Sequence, residues 1–202
     1  MPGPDARVLT VPNVISLGRL ALVPVFLWLL WARDRPIAAA ALFAVLGATD
    51  WIDGYIARHF DQGSELGKIL DPTADRVLLV AGALALLVER MPVAVDVLLV
   101  VVLVREVAIA LVTVGLALAG ARRIDVVWAG KAGTLALMFA LPLLLVADRA
   151  GDDTIAALAA VGGWGFAIGG IALGYYAAVK YVPAARVALR DGRAARLAEV
   201  DT

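Results

Sequence analysis

The sequence contains no cysteine and a single histidine, His59. Thiolate nucleophiles, zinc–thiolate sites and iron–sulfur clusters are thereby excluded. One imidazole beside Arg58, where an apolar run ends, reads as an interfacial residue rather than a metal ligand. Net charge is missing too: 18 Lys and Arg balance 18 Asp and Glu, so there is no polybasic footprint and no nucleic-acid partner is expected. Charged residues are only 18% of the chain. Apolar side chains fill its 202 residues instead, at 62% of the total and a mean hydropathy of +0.90. Such a composition excludes a disordered chain, a disulfide-stapled secreted module and an ordinary water-soluble domain. It points to an all-α integral membrane protein, each helix needing roughly 20 residues to cross a hydrocarbon core about 30 Å thick.

With Pro, Gly and charge clusters as punctuation, the apolar runs place six transmembrane helices near residues 13–32, 37–57, 72–88, 93–119, 126–147 and 155–182. Six crossings put both termini on one side. Of the 18 Lys and Arg, twelve fall on that side and four (Arg33, Arg35, Arg90 and Arg149) on the other, with Arg19 and Arg105 inside helices. The positive-inside rule then makes both termini cytoplasmic, in a multi-pass protein of the cell membrane. No cleavable targeting peptide is evident, and the first helix is expected to remain as an anchor. The chain divides into a flexible lead-in at 1–12, a six-helix domain at 13–183 and a polar cytoplasmic tail at 184–202, whose arginines suit anionic headgroups or simply follow the positive-inside rule. Trp28 and Trp31 near one helix end fit interfacial anchoring.

Four carboxylates break the apolar pattern. Asp50 and Asp53 close the second run, and Asp71 and Asp75 open the third. Steps of three and four residues leave each pair within about 60° on its own helix, so adjacent antiparallel helices can aim both pairs into one pocket. Four negative charges in a medium of low dielectric constant need protons or divalent cations to neutralise them, and an all-oxygen ligand set suits Mg²⁺ or Mn²⁺. Gly54 and Gly67 leave room for a phosphate to approach, and Arg58 supplies a delocalised cation for a diphosphate; helix packing is the alternative reading of the glycines.

Written out, the stretch is Asp50-x2-Asp53-Gly54-x2-Ala57-Arg58-x8-Gly67-x3-Asp71-x3-Asp75. It resembles the signature of the CDP-alcohol phosphatidyltransferase family at all eight fixed positions. At about 7% per position, chance agreement is on the order of one in a billion per starting point. The resemblance implies a phospholipid-synthesising enzyme that moves a phosphatidyl group from CDP-diacylglycerol to an alcohol and releases CMP. It implies that Asp50, Asp53, Asp71 and Asp75 hold one or two Mg²⁺ or Mn²⁺ ions and that Asp75 is the catalytic base. Asp53, Gly54, Ala57, Arg58, Ser64 and Gly67 would bind the CDP-lipid. Asn13, at the entry to the first helix, reads as a helix cap or as a weaker substrate contact.

The acceptor is read from the second half. Arg105 and Glu106 fall in the middle of the fourth helix, where they form either a structural ion pair or, with Arg123 and Lys131, a basic pocket for a phosphate on the acceptor. Such a pocket suits glycerol 3-phosphate or phosphatidylglycerol better than an uncharged amino alcohol. Within the family, Pro12-Asn13-x5-Arg19 and the Arg105-Glu106 to Gly130-Lys131 block look like the branch making phosphatidylglycerol phosphate or cardiolipin. Phosphatidylglycerol phosphate synthases commonly carry a second arginine eight residues after the first, where this chain has Thr113. The Gly130-Lys131-Ala132-Gly133-Thr134 segment is more similar to actinobacterial cardiolipin synthases of the eukaryotic type, which favours phosphatidylglycerol. Gly165-x3-Gly169 and Gly170-x3-Gly174 permit close helix approach, within the bundle or in the homodimer that the resemblance implies. The rival class is a proton- or cation-coupled transporter, whose acids should track across the membrane.

Overall fold

The computed structural model describes residues 10–59, 67–119 and 128–200, with backbone only at 11, 12, 50–59, 68, 69, 117, 182 and 184–200. Six helices make up the described residues: α1 (Val11–Leu27, continued by a π-helical turn Trp28–Ala32), α2 (Pro36–His59), α3 (Gly67–Val88), α4 (Val93–Leu118), α5 (Trp128–Arg149) and α6 (Asp153–Val200). The π turn places Trp28 and Trp31 half exposed at the helix end, with the Arg33 guanidinium 4.5 Å from the Trp28 ring centroid. At the two sharp returns Asp34 and Arg90 adopt φ of 48° and 54°, each two residues before a proline, Pro36 at the start of α2 and Pro92 just before α4. Asp152 caps the start of α6, its carboxylate accepting from the N–H groups of Thr154 and Ile155, each at 2.9 Å.

Among the described residues, four helical segments are long and apolar enough to cross a membrane: Asn13–Ala32, Val93–Leu116, Trp128–Arg149 and Asp153–Tyr181. The apolar part of α2, Pro36–Thr49, is shorter. In α3, Lys68, Asp71, Asp75 and Arg76 occupy the first three turns, so its apolar stretch is confined to its second half. Helix α3 begins at Gly67, five residues before the expected start at 72, so Gly67 and Asp71 lie within it. Helix α6 runs on through Pro183 to Val200, making the segment expected as a tail a continuation of the last helix. Its 48 residues span about 72 Å, more than twice a hydrocarbon core.

Lipid tails are as apolar as leucine, so these helices associate through close packing. Phe26 of α1 and Phe43 of α2 meet at 5.1 Å between ring centroids, and Phe43 fills the space over Gly82 of α3, where a Cβ would come within 2.4 Å of the ring. Leu141 of α5 closes the same layer. The most extensive contact is the antiparallel pairing of α5 with α6. There Gly133 faces Gly170, a Cβ on the former lying 2.8 Å from the carbonyl of the latter, and Gly163 faces Leu144. The two expected glycine pairs therefore part company. Gly170 and Gly174 pack inside the bundle, whereas Gly165 and Gly169 have nothing within 4 Å.

At the end of the bundle away from the aspartates, Arg149 ties α5 to the α3–α4 turn, donating to the Glu89 carboxylate at 3.0 Å and carbonyl at 3.2 Å. Two of the three short loops expected on one face are thereby joined.

Candidate active site

The Phe26–Phe43–Gly82 layer gives a common zero for depth. Arg19 lies seven residues before Phe26, Asp50 seven after Phe43, and Asp75 seven before Gly82. Helix α2 runs antiparallel to α1 across a three-residue turn, and α3 runs parallel to α1, so all three steps lead toward the same end. At 1.5 Å per residue, Arg19, Asp50 and Asp75 each sit about 10 Å from the layer. Asp53 and Asp71 follow, ten and eleven residues out. The four aspartates thus belong to one level of the bundle. For Asp50, Asp53, Gly54, Ala57 and Arg58 the backbone of α2 gives this placement, and their side chains lie outside the description, as does the His59 side chain. Ser64 and Arg123 lie outside the described residues altogether.

Helix α1 supplies what the sequence reading missed. Arg19 is 1% exposed, and its guanidinium donates to the Asp75 carboxylate and lies 4.0 Å from Asp71. Ser16, one turn earlier and 2% exposed, donates its hydroxyl to Asp71 at 3.4 Å. A buried guanidinium in an apolar bundle needs an anionic partner, and a planar fork can serve two carboxylates at once. Asp71 and Asp75 keep 32% and 17% of their side-chain surface open, so they are held on one flank and accessible on the other. The signal was present in the sequence: Asn13, Ser16 and Arg19 recur every third residue in an otherwise apolar helix, which sets a polar stripe on one face. Asn13 is not the helix cap. Thr10 is, its hydroxyl accepting from the Asn13 N–H at 3.4 Å, while the Asn13 side chain is buried.

A second charged group adjoins the first. Arg76, next to Asp75, reaches across to Glu106 of α4 at 3.5 Å, and Arg105 donates to the other Glu106 oxygen at 2.6 Å. Glu106 is buried at 5% exposure. Of the residues read as an acceptor pocket, Arg105 therefore makes an ion pair and also packs on Gly174 of α6, while Lys131 is exposed near the start of α5.

The arrangement puts hard oxygen donors and guanidinium groups on three helices at one end of an apolar bundle. Among the described residues no three His, Cys, Asp or Glu side chains form a metal cluster. Asp71 and Asp75 are nonetheless a fitting half-site, being carboxylates one turn apart, partly open, and both within reach of the Arg19 guanidinium. Groups of this kind neutralise and orient phosphates.

Comparison with known proteins bears on the same residues. The model of the family described as CDP-alcohol phosphatidyltransferase matches residues 9–176. A cardiolipin synthase (CMP-forming) of Streptomyces coelicolor is 41% identical over 195 residues, covering 94% of this chain and 88% of that protein. A CDP-diacylglycerol–glycerol-3-phosphate 3-phosphatidyltransferase of Escherichia coli K12 is 36% identical over 145 residues, covering 67% of this chain and 76% of its own.

Proposed function

The chain belongs to the CDP-alcohol phosphatidyltransferase family, and from that premise we propose that its acceptor is phosphatidylglycerol, making it a cardiolipin synthase. The enzyme is a CDP-diacylglycerol-dependent phosphatidyltransferase of phospholipid synthesis. The observation that carries the choice of acceptor is the likeness to the Streptomyces coelicolor cardiolipin synthase along nearly the whole of both chains. Thr113 supports it. Where phosphatidylglycerol phosphate synthases commonly carry a second arginine, its hydroxyl bonds the Ile109 carbonyl at 2.8 Å on an exposed helix face and offers an acceptor phosphate no cation.

In the proposed reaction a hydroxyl oxygen of phosphatidylglycerol attacks the phosphatidyl phosphorus of CDP-diacylglycerol. The phosphorus–oxygen bond to CMP breaks, CMP leaves with its electron pair, and the hydroxyl proton passes to Asp75. Arg19 holds Asp75 and Asp71 from behind, which fixes the carboxylate that takes the proton. Asp50, Asp53, Asp71 and Asp75 would hold one or two Mg²⁺ or Mn²⁺ ions, which when bound neutralise charge on the transferring phosphoryl group and on CMP. Gly54, Ala57, Arg58, Ser64 and Gly67 would cradle the cytidine diphosphate. Arg105, with Arg123 and Lys131, would face the phosphate of the acceptor.

The same reading takes all six helices as crossings, with both termini and the aspartate level at the cytoplasmic face. It is supported by the excess of cations at that end and by the Glu89–Arg149 bridge joining two of the opposite loops. A homodimer is proposed from family likeness. The deciding experiment offers purified protein CDP-diacylglycerol, Mg²⁺ or Mn²⁺, and in turn phosphatidylglycerol, glycerol 3-phosphate, inositol phosphate or serine, with lipid products identified by mass. Cardiolipin from the first is expected. Phosphatidylglycerol phosphate from the second, with no cardiolipin, overturns the assignment of acceptor.

A further inference from the structure

We propose that Gly174 and Glu106 are positioning residues that hold the Arg105 guanidinium in place, so that Gly174, far outside the aspartate signature, helps to set how tightly the acceptor binds. The inference rests on Arg105 facing the acceptor phosphate.

Consecutive residues on a helix point about 100° apart, so Arg105 and Glu106 do not meet by default. They meet here because the Arg105 side chain is held from two sides. Glu106, nine-tenths buried or more, takes Nη1 at 2.6 Å. On the other side the guanidinium lies against the bare backbone of α6, where a Cβ on Gly174 would come 2.6 Å from Nε, 2.7 Å from Nη2 and 2.8 Å from Cζ. Any larger residue at 174 must push the guanidinium away.

Glu106 is shared between two guanidinium groups, Arg105 at 2.6 Å and the 44% exposed Arg76 at 3.5 Å, so neither arginine has it to itself. Arg105 is only 10% exposed, and its Nε is buried with no hydrogen-bond partner among the described residues. A buried guanidinium with an unanswered donor suits an incoming anion. Arg76 also follows Asp75 directly in α3, so Glu106 links the residue proposed as base to the arginine proposed to hold the acceptor.

Gly174→Ala makes a clean test because the atoms nearest the added methyl belong to the end of a flexible side chain, which can swing away and leave the fold intact. Glu106→Gln keeps shape and removes the charge. Both variants and Arg105→Ala are assayed in mixed micelles by CMP release, with KM for phosphatidylglycerol and for CDP-diacylglycerol measured separately and melting temperature recorded. The expected result is an acceptor KM raised at least about fivefold in Gly174→Ala and Glu106→Gln, with the donor KM within about twofold of the parent. The double variant Gly174→Ala/Arg105→Ala should match Arg105→Ala alone, since the methyl has no guanidinium left to displace. An acceptor KM that moves in Arg105→Ala but in neither Gly174→Ala nor Glu106→Gln overturns the positioning role and leaves the acceptor pocket standing. An acceptor KM unmoved by Arg105→Ala overturns the pocket itself. Equal rises in both KM values overturn the positioning role as well.

Discussion

Replacing Arg19 by methionine removes a cation of α1 that reaches both α3 aspartates. Arg19 is 1% exposed and Asp75 is 17% exposed, so the pair is largely shielded from water. Removing one partner of a fully buried pair costs about 3–5 kcal/mol, because a charge is left behind without compensation. Asp75 retains some contact with solvent and Asp71 is 32% exposed, which places Arg19→Met near or below the low end, at about 2–3 kcal/mol. For a chain of this size that amounts to a melting temperature lower by about 4–12 °C. Differential scanning fluorimetry of the detergent-solubilised protein, in chelator so that no divalent ion replaces the guanidinium, measures it. The cycle is completed by Asp75→Asn and by Arg19→Met/Asp75→Asn. Removing both charges leaves no stranded carboxylate at position 75, so the double variant should melt above Arg19→Met. A double variant that melts no higher than Arg19→Met would refute the reasoning, since it would mean that Asp75 is not the charge that Arg19 neutralises.

Three further outcomes are expected. Asp75→Asn should lower CMP release from CDP-diacylglycerol by about 10²–10⁴-fold, the range for losing a general base; an unchanged rate rejects that role. Gly133→Ala brings a methyl within 2.8 Å of the Gly170 carbonyl and 3.1 Å of the Gly174 nitrogen, both backbone. Overpacking of that kind should cost about 1–3 kcal/mol, seen as a lower melting temperature, and a melt equal to the parent's would show that α5 and α6 are not seated through these glycines. Glu89→Gln removes a partly exposed ion pair with Arg149 at the opposite end of the bundle. It should change stability by no more than about 1 kcal/mol and leave CMP release intact, and a large loss of turnover would contradict the assignment of all the chemistry to the other end.

Much of the fold was legible because hydrophobic length and the Pro and charge punctuation carry the helix positions of a membrane chain. All six expected helices are present, with ends displaced by a few residues except in two places. Helix α3 begins five residues early because Gly67 to Asp71 is too polar to register in an apolar run, yet Lys68, Ile69 and Leu70 are adequate helix formers. Helix α6 continues to Val200 for the same reason: alanine, arginine and leucine dominate 184–197, and such residues favour helix without being hydrophobic enough to announce it. The aspartate spacing pointed to a candidate site, but not to what stands behind it. Ser16 and Arg19 are more than 50 residues from Asp71 and Asp75, and Gly174 is 69 from Arg105, so only the packing of separate helices reveals those partners.

The buried polar residues among those described are Asn13, Ser16, Arg19 and Glu106, and three of them bond across to α3. Arg19 and Ser16 join α1 to α3, while Glu106 joins α4 to α3 through Arg76. In lipid such bonds have few competitors, and each fixes both the depth and the rotation of the helices that it joins. The charged groups at this end therefore do for α1, α3 and α4 what Gly133 and Gly170 do for α5 and α6. It follows that Asp71 and Asp75 cannot turn without breaking a contact to α1, so their aim is set when the protein folds rather than when substrate arrives. In the proposed reaction, carboxylates held in this way would be spared the cost of reorienting in the transition state. The same coupling predicts that substitutions in this cluster lower stability and turnover together, whereas a change at Gly174, where the fold can yield by moving one arginine side chain, separates the two.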